Sequence, residues 1–251
     1  MDEGLGRLRL FLAESERAVI FTGAGISTES GIPDFRSPGG LWTQNKPIDF
    51  GEFLASEEAR RETWRRKIEI DKTLQQAEPN AGHQAVAELV RTGRVRRVIT
   101  QNIDGLHQDA GLTDDKIIEL HGNTTYAACL ECGLRYELGP IKEAFQRHGT
   151  LPHCGECQGI IKSATISFGQ PMPEAELMAA QEESQNCDLF LAIGSSLVVY
   201  PAAGLPLLAK QNGARLVILN RDPTDMDELA DLTLNLEIGE SLGIVAGWFQ
   251  H

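Results

Sequence analysis

The sequence predicts an α/β protein in which a mainly parallel sheet carries helices on both faces, joined to a smaller domain. Two observations predict the sheet: short apolar runs recur along the chain, and helix-like stretches such as 82–91 and 174–185 separate several of them. A third observation predicts the smaller domain, because segments 38–82 and 123–163 break this alternation. With 251 residues and 41% hydrophobic content, the chain can bury one large core. The apolar runs span 18–21, 98–100, 117–120, 164–168, 189–193, 216–219 and 232–236.

The first apolar run leads into a glycine turn. Residues 18–21 read AVIF, which is typical of a short buried strand, and Gly23-Ala24-Gly25 follow almost directly. Glycine lets the main chain approach an anion, and the N-terminus of a following helix adds about 0.3–1 kcal/mol for a bound negative charge. The pattern therefore predicts a phosphate cradle. A plain glycine turn between two core elements is the alternative, since GAG is shorter than the full GxGxxG fingerprint.

Small or polar residues also follow several later runs. In open α/β sheets ligands bind at the carboxyl ends of the strands, so we expect five loops to line one crevice. Asn and Asp also form turns by bonding their own main chain, so Asn102 and Asp104 could be turn formers instead. The five loops carry Gly23-Ala24-Gly25, Gln101-Asn102-Ile103-Asp104, His121-Gly122, Gly194-Ser195-Ser196 and Asn220-Arg221-Asp222.

The two segments that break the alternation differ in character. Segment 38–82 is rich in charge and predicts a helical insertion with a solvated face. Segment 123–163 contains two CxxC pairs separated by 21 residues, and four thiolates complete the tetrahedral shell of a structural zinc ion. A redox role for either pair is the alternative, and Cys187 is expected to be a core residue. The predicted zinc ligands are Cys129, Cys132, Cys154 and Cys157.

Composition narrows the partners and the compartment. The chain has 36 acidic and 23 basic residues and a net charge of −13, which argues against a nucleic-acid or anionic membrane partner and favours a cationic substrate. No signal peptide is expected, because residues 1–18 interleave charged and apolar residues at helical spacing. A cytoplasmic protein is therefore predicted, in which clustered thiols bind metal rather than form disulfides.

A set of motifs spread over nearly the whole chain resembles the sirtuin family of NAD-dependent protein-lysine deacylases. The motifs are GAGISTESGIPDFR at 23–36, PNAGH at 79–83, TQNIDGLH at 100–107, HG at 121–122, the two CxxC pairs, GSSLVVYP at 194–201 and NR at 220–221. The resemblance implies a cleft for an extended acyl-lysine peptide between two domains. It assigns 1–37, 83–122 and 164–251 to a Rossmann-like NAD-binding domain, 38–82 to a cofactor loop and helical module, and 123–163 to a zinc-binding module.

The resemblance also implies roles for individual residues. In the family, nicotinamide leaves the ribose of NAD, the acyl oxygen of the lysine takes its place, and a base helps a ribose hydroxyl attack the resulting imidate. The products are free lysine, nicotinamide and 2'-O-acyl-ADP-ribose. His121 is in the position of that base, and a neutral imidazole with a pKa of about 6.5 can accept a proton. Asn102 and Asp104 complete the implied catalytic set.

The contacts implied by the resemblance fall into two groups. The NAD contacts are Gly23, Ala24, Gly25, Ser27, Asp34, Phe35, Arg36, Trp42, Gln101, Asn102, Ile103, Asp104, Gly194, Ser195, Ser196, Asn220, Arg221, Asp222 and Ile238. The peptide contacts are Ile166, Ser167, Phe168 and Gly169. His83 and His107, which also lie within motifs, are expected to be structural.

Two departures from the common family pattern concern the substrate. Segment 162–173 reads KSATISFGQPMP, where many members carry Arg-Pro and Phe-Gly-Glu, so the peptide preference is open. Members selective for succinyl or malonyl lysine carry a Tyr and, three residues later, an Arg. The nearest match here is Thr63 and Arg66, which lacks the phenol. A neutral acyl group is therefore expected, either acetyl or a longer chain.

Two other functions are open at the level of the sequence. ADP-ribosyl transfer to protein needs the same NAD pocket and could proceed without His121 as a base, so the presence of this histidine disfavours it. A binding module, either an NAD sensor or a zinc ribbon on nucleic acid, is disfavoured by the full catalytic set and by the acidic composition. The protein target, the oligomeric state and the regulation are not indicated by the sequence.

Overall fold

Two β-sheets form the framework of the protein. The structure is a computed structural model that describes residues 3–34 and 46–248. In chain order its elements are α1 (Glu3–Glu14), β1 (Ala18–Thr22), a 3-10 helix (Ala24–Ser30), α2 (Phe50–Ala55), α3 (Glu57–Leu74), α4 (Ala81–Arg91), β2 (Arg97–Thr100), α5 (Leu106–Asp109), a 3-10 helix (Asp114–Lys116), β3 (Ile117–Glu119), β4 (Gly122–Cys129), β5 (Arg135–Glu137), α6 (Leu138–His148), β6 (Ile161–Thr165), α7 (Glu174–Asn186), β7 (Leu189–Ile193), α8 (Gly204–Gln211), β8 (Arg215–Leu219), a 3-10 helix (Asp227–Leu229), β9 (Leu232–Leu234) and α9 (Ile238–Ala246).

The larger sheet has six strands in the order β3-β2-β1-β7-β8-β9, and every pairing is parallel. All five residues of β1 and all five of β7 are buried. Parallel strands that are covered on both faces read as continuous apolar runs, which is why the sequence predicted these strands closely. The strand order reverses between β1 and β7, which creates a topological switch point at the centre of the sheet.

Helices cover both faces of this sheet, as predicted. One core contains leucines of α1 together with apolar residues of α4 and α9, among them Leu8, Leu89 and Leu242. The core on the opposite face contains Ala180 of α7 and Leu205 of α8. The fold class predicted from the sequence is therefore confirmed.

The helical insertion has the charge pattern of a solvated helix. Ser56 begins α3 by accepting a hydrogen bond from Ala59 N at 3.2 Å, and Arg61 forms an ion pair with Glu57 one turn away. Such exposed pairs contribute little to stability. No helix within residues 3–34 and 46–248 combines the length and the apolar character needed to cross a bilayer.

The smaller sheet is antiparallel, with the order β5-β4-β6. One of its faces packs against α3 and α6, where Trp64 is 2% exposed in a cluster with Cys129, Cys154 and Ile161. An ion-pair cluster joins the same helices, because Asp71 of α3 pairs with Lys67 and with Lys142 of α6. The helical insertion and the cysteine-bearing sheet therefore share one core.

One predicted strand differs in the structure. The run at 164–168 was expected to continue the parallel series, but β6 covers Ile161–Thr165 and pairs antiparallel with β4. Beyond Thr165 the chain leaves the sheet: Phe168 O accepts a hydrogen bond from Phe50 N at 2.8 Å, and Gly169 adopts a left-handed φ of +77°. The mainly polar sequence IKSAT concealed this edge strand.

Candidate active site

The five predicted loops lie at one edge of the larger sheet. They follow β3, β2, β1, β7 and β8, which are consecutive neighbours in the sheet, and each loop leaves a strand at its carboxyl end. The loops after β1 and β7 flank the switch point, where open α/β sheets form their ligand crevice. The predicted arrangement of the loops is therefore confirmed.

The glycines at the switch point let two loops pack main chain against main chain. Gly23 N donates to Ile193 O at 3.0 Å, and Gly25 N donates to Gly194 O at 2.8 Å. A Cβ on Gly23 would lie 2.7 Å from Gly194 O, and one on Gly25 would lie 2.7 Å from Gly194 Cα. Glycine is therefore required here by the neighbouring loop. Both amides are already bonded within the protein, so neither is a free donor for an anion.

A polar network ties the first loop to the second. Ser27 Oγ donates to Asp104 Oδ2 at 2.7 Å, and Asn102 Nδ2 donates to Ser27 Oγ at 3.2 Å and to Gly23 O at 3.1 Å. Leu106 N donates to the other carboxylate oxygen of Asp104 at 3.0 Å. Burial raises the pKa of Asp104, against these hydrogen bonds. The side chains of Asn102 and Asp104 thus join separate loops and are not merely local turn formers.

The geometry around His121 fixes its tautomer. Its Nδ1 lies 2.9 Å from Gln101 O, and a carbonyl oxygen can only accept, so the ring proton is on Nδ1. The Nε2 atom therefore carries the lone pair of the neutral ring. Burial lowers the pKa of His121, and the hydrogen bond to Gln101 opposes this shift only partly, so the imidazole is neutral at physiological pH. The Gln101 side chain donates to Ser195 Oγ at 2.8 Å.

Two further histidines lie buried behind the polar network. His83 Nδ1 accepts from Asn80 N at 3.4 Å in the capping box of α4, and His83 Nε2 lies 3.4 Å from Ser27 Oγ. His107 Nε2 lies 2.9 Å from Thr22 Oγ1. Burial lowers the pKa of His83 to about 4 and that of His107 to about 3. Both rings are therefore neutral, in agreement with a structural role.

The remaining predicted NAD contacts differ in exposure. Ser196, Arg221 and Asp222 are exposed, Ser195 is buried, and Ala24, Asp34 and Ile103 are half-buried. Asn220 Nδ2 donates to Asp222 O at 2.7 Å, which closes the loop after β8. Ile238, at the start of α9, is 6% exposed and belongs to the main core, so its side chain packs inside the protein. Phe35, Arg36 and Trp42 lie outside the described residues.

The predicted peptide contacts run alongside the candidate base. Ile166 N donates to His121 O at 2.9 Å. Ser167 and Gln170 form a turn in which Ser167 N donates to Gln170 Oε1 at 3.2 Å. The side chain of Phe168 is 44% exposed, and Gly169 sits against Asp49, whose Oδ2 would lie 2.7 Å from an added Cβ.

The four predicted zinc ligands converge. Their Sγ atoms all lie within 4.8 Å of one another, with Cys129 and Cys157 at 3.5 Å and Cys132 and Cys154 at 3.6 Å. A tetrahedral zinc ion with Zn–S bonds of about 2.3 Å needs sulfurs at about this spacing, so the site fits Zn²⁺. The Tyr136 hydroxyl donates to Cys154 Sγ at 3.1 Å and lowers the pKa of this thiol to about 6, which favours the thiolate. No sequence motif pointed to Tyr136.

In the helical insertion, Thr63 and Arg66 are the nearest match to the Tyr and Arg of members selective for succinyl or malonyl lysine, and Arg66 is not a free cation. Arg66 Nε donates to Glu62 Oε1 at 2.6 Å, and Arg66 Nη1 donates to Lys46 O at 2.7 Å. Thr63 Oγ1 donates to Ala59 O at 2.8 Å in its own helix. Both side chains are therefore already engaged within the protein.

Fold and site together define an α/β protein with polar loops at the topological switch point of a parallel sheet and a smaller domain that carries four clustered cysteines. The sequence profile described as the Sir2 family matches residues 23–201. The chain belongs to the Sir2 family, and the sirtuin resemblance is confirmed.

Relatives match over nearly the whole chain. The NAD-dependent protein deacetylase of Rhodopseudomonas palustris is 54% identical over 247 residues, which cover 98% of this chain and 98% of the relative. NAD-dependent protein deacetylase 1 of Bradyrhizobium diazoefficiens is 56% identical over 247 residues, which cover 98% of this chain and 97% of the relative. Among solved structures, a Sir2 protein with a p53 peptide and NAD+ is 38% identical, with a TM-score of 0.86 and coverage of 96% of both chains. Sir2Tm bound to a propionylated peptide is 37% identical, with a TM-score of 0.86 and coverage of 98% and 97%.

Proposed function

We propose that this chain is an NAD-dependent protein-lysine deacylase, and most specifically a deacetylase. The names of its relatives, at 54% and 56% identity over nearly the full length, support this activity. The single observation that carries the proposal is the convergence, at the switch point, of a neutral histidine with a free ring nitrogen and a hydroxyl, amide and carboxylate network. Such groups suit a ribose and a carboxamide.

His121 acts as the general base. When bound, NAD supplies a ribose from which nicotinamide departs and whose hydroxyl must then lose a proton. The Gln101 carbonyl holds the Nδ1 proton, so Nε2 is the atom that accepts. Because burial lowers the pKa of His121, this lone pair is available at neutral pH. General-base catalysis is worth about 100- to 10,000-fold in rate, so the loss of this imidazole should nearly abolish turnover.

The surrounding residues hold the reacting groups in place. Ser27 and Asn102 orient the Asp104 carboxylate, and Gln101 links the second loop to Ser195. Gly23, Gly25 and Gly194 allow the loops after β1 and β7 to pack closely against each other. Roles for Phe35, Arg36 and Trp42 in NAD binding stay predictions from the family resemblance.

The zinc site is structural. Four cysteine sulfurs fill a tetrahedral shell and leave no protein position for a reacting water. Cys129 and Cys154 share a core with Trp64, so the metal supports the small sheet and α3 together. A bound Zn²⁺ stabilises the fold and supplies no step of the reaction.

The substrate is a peptide that carries a neutral acyl-lysine. Segment 166–169, in which Ile166 and Ser167 are half-buried and Phe168 and Gly169 are exposed, lies beside His121 and is the segment assigned to main-chain pairing with an extended peptide. Sir2Tm has been solved with a propionylated peptide, which is consistent with a neutral acyl group. Arg66 is engaged by Glu62 and Lys46, so it offers no free cation to an acyl carboxylate. A succinyl or malonyl preference is therefore not expected.

Several finer points stay predictions. They are the domain bounds (1–37, 83–122 and 164–251 for NAD binding, 38–82 for the cofactor loop and helical module, 123–163 for zinc), the cytoplasmic location, and the exclusion of nucleic-acid and membrane partners. The net charge of −13 supports the last of these.

Mass spectrometry of an acetyl-lysine peptide incubated with protein and NAD tests the function. We expect deacylated peptide, nicotinamide and acyl-ADP-ribose from the wild type, and almost none from His121→Ala. His148→Ala removes an exposed histidine of α6 and should match the wild type. Intact acyl peptides with ADP-ribose attached to protein would replace the proposal with a transferase, and untouched NAD would leave a binding protein. A strong preference for succinyl over acetyl peptide would refute the substrate assignment.

A further inference from the structure

A buried lysine lies at the root of the predicted peptide-binding segment. Lys162 is 2% exposed on β6, the strand that continues into residues 166–169. Five other lysines pair with carboxylates: Lys67, Lys72, Lys116, Lys142 and Lys210. Lys162 forms no such ion pair within the part of the chain that the structure describes. Because a buried ammonium without a counter-charge is costly, its presence calls for a specific role.

The ammonium binds main-chain oxygens of its own strand. Lys162 Nζ donates to Thr165 O and, at 3.4 Å, to Ser163 O. It also lies 6.0 Å from the centroid of the Phe53 ring of α2. Since β6 is at the edge of its sheet, the main-chain groups on its outer side have no partner strand. Lys162 therefore occupies the last acceptors of β6 and defines where the strand ends.

The segment beyond this end is held from two sides. Ile166 N donates to His121 O at 2.9 Å, and Phe168 O accepts from Phe50 N at 2.8 Å. The first bond joins the segment to the candidate base, and the second joins it to α2. Lys162 binds Thr165 O, directly before Ile166, and faces the ring of Phe53 on α2, so it lies between the elements that carry these two hydrogen bonds.

We propose that Lys162 is a positioning residue for the peptide substrate: its ammonium fixes the end of β6 so that residues 166–168 present their main chain to an extended acyl-lysine peptide. The inference rests on the deacylase function proposed above. Burial lowers the pKa of Lys162 to about 8, so the charged form still predominates at about pH 7. The segment bonds the main chain of His121, whereas the His121 ring is held by Gln101 O, so loss of the ammonium is expected to act on peptide binding and to leave the ring in place.

Steady-state kinetics with an acetyl-lysine peptide test this role when both substrates are varied. Lys162→Met should raise the peptide KM about tenfold, as for loss of a charge-assisted hydrogen bond, with kcat and the KM for NAD within about twofold of the wild type. Lys162→Arg keeps the charge and the donors, so its peptide KM should stay within about threefold. Lys210→Met removes a lysine of α8 that pairs with Asp231 and should behave as the wild type.

The outcomes separate this inference from the proposed function. A folded Lys162→Met protein with the wild-type peptide KM would overturn the inference. Parallel changes in kcat and in both KM values, together with a lower Tm, would also overturn it, because they mark a purely structural lysine. If Lys162→Met does not fold, Lys162→Gln gives the same comparison with one uncharged donor. A wild type without deacylation would refute the function instead, and peptide binding measured by fluorescence anisotropy would then still test Lys162.

Discussion

Acidification should destabilise this protein through two buried histidines. Burial lowers the pKa of His83 to about 4 and that of His107 to about 3, from an ordinary value of 6.5. As the pH falls below about 6.5, the unfolded chain therefore takes up protons before the folded protein does. The contribution of the two histidines to the free energy of unfolding is fully present above this pH and decreases below it. The decrease levels off only near the folded-state pKa values of about 3 to 4.

The size of the effect follows from the pKa values. Each pKa unit corresponds to about 1.4 kcal/mol, so at about pH 5 each histidine lowers the free energy of unfolding by about 2 kcal/mol and the pair lowers it by about 4 kcal/mol. This is a large part of the roughly 5–15 kcal/mol that stabilises a typical domain. Burial raises the pKa of Asp104 and Glu119, so these groups take up protons more readily in the folded protein and offset part of the loss.

Urea unfolding at a series of pH values between about 7 and 5 measures the effect. His83→Asn and His107→Gln should each lose about 2 kcal/mol less than the wild type over this range, because one buried imidazole is absent. His148→Asn, at an exposed position of α6, should follow the wild-type curve. Any release of metal by acid is common to every variant, and the effect of this release on stability cancels in the difference between a variant and the wild type. Equal pH dependence in His107→Gln and the wild type would refute the reasoning.

Three further predictions concern the small domain and the glycine loops. Asp71→Asn removes the carboxylate shared by two lysines inside the protein, and should lower the free energy of urea unfolding by about 3–5 kcal/mol. Chelation of the metal should unfold α3 together with the cysteine module, because Trp64 shares their core; tryptophan emission should shift to the red in step with zinc release. Gly194→Ala should cost more than about 1 kcal/mol, as its φ is +62° and an added Cβ would lie 2.4 Å from Ile26 N; urea unfolding measures this loss.

Each of these predictions has a control and a contradicting result. Glu143→Gln breaks an exposed ion pair of α6 and should change stability by less than about 1 kcal/mol; an equal effect of Asp71→Asn would contradict the buried cluster. Zinc release with unchanged tryptophan emission would contradict the prediction that α3 unfolds together with the cysteine module. Gly213→Ala has a φ of +93° but open space around its Cβ, so it measures the backbone cost alone. If Gly194→Ala lowered stability no more than Gly213→Ala does, the claim that the two loops pack too closely for a Cβ would be contradicted.

The sequence predicted the larger sheet closely and the smaller one poorly. Strand β7, LFLAI, is covered on both faces, so a continuous apolar run marks it at the same residues in sequence and structure. Strand β6 lies at an edge and contains Lys162, whose burial depends on main-chain oxygens and not on an apolar side chain. Its polar composition therefore resembled a loop, and the predicted strand was shifted toward Phe168.

For the site, the sequence predicted which loops meet but not how their atoms bond. The convergence follows from the parallel topology, which brings carboxyl ends to one edge. The bridging position of Ser27 between Asn102 and Asp104 depends on groups about 75 residues apart in sequence, and no local pattern encodes their spacing. No local pattern encodes the hydrogen bond between Tyr136 and Cys154 either. The phosphate cradle predicted from the glycine motif stays a prediction, and the amides of Gly23 and Gly25 bond Ile193 O and Gly194 O.

The cysteine module enters and leaves the larger domain at a single point. Strand β4 begins at Gly122, directly after His121, and Gly122 pairs with Thr165 at the end of β6. An added Cβ on Gly122 would lie 1.9 Å from Ala164 O, so the two ends are clamped together at this root. The position of the base relative to the peptide segment is therefore set at this root, where His121 and Ile166 directly flank the paired residues Gly122 and Thr165.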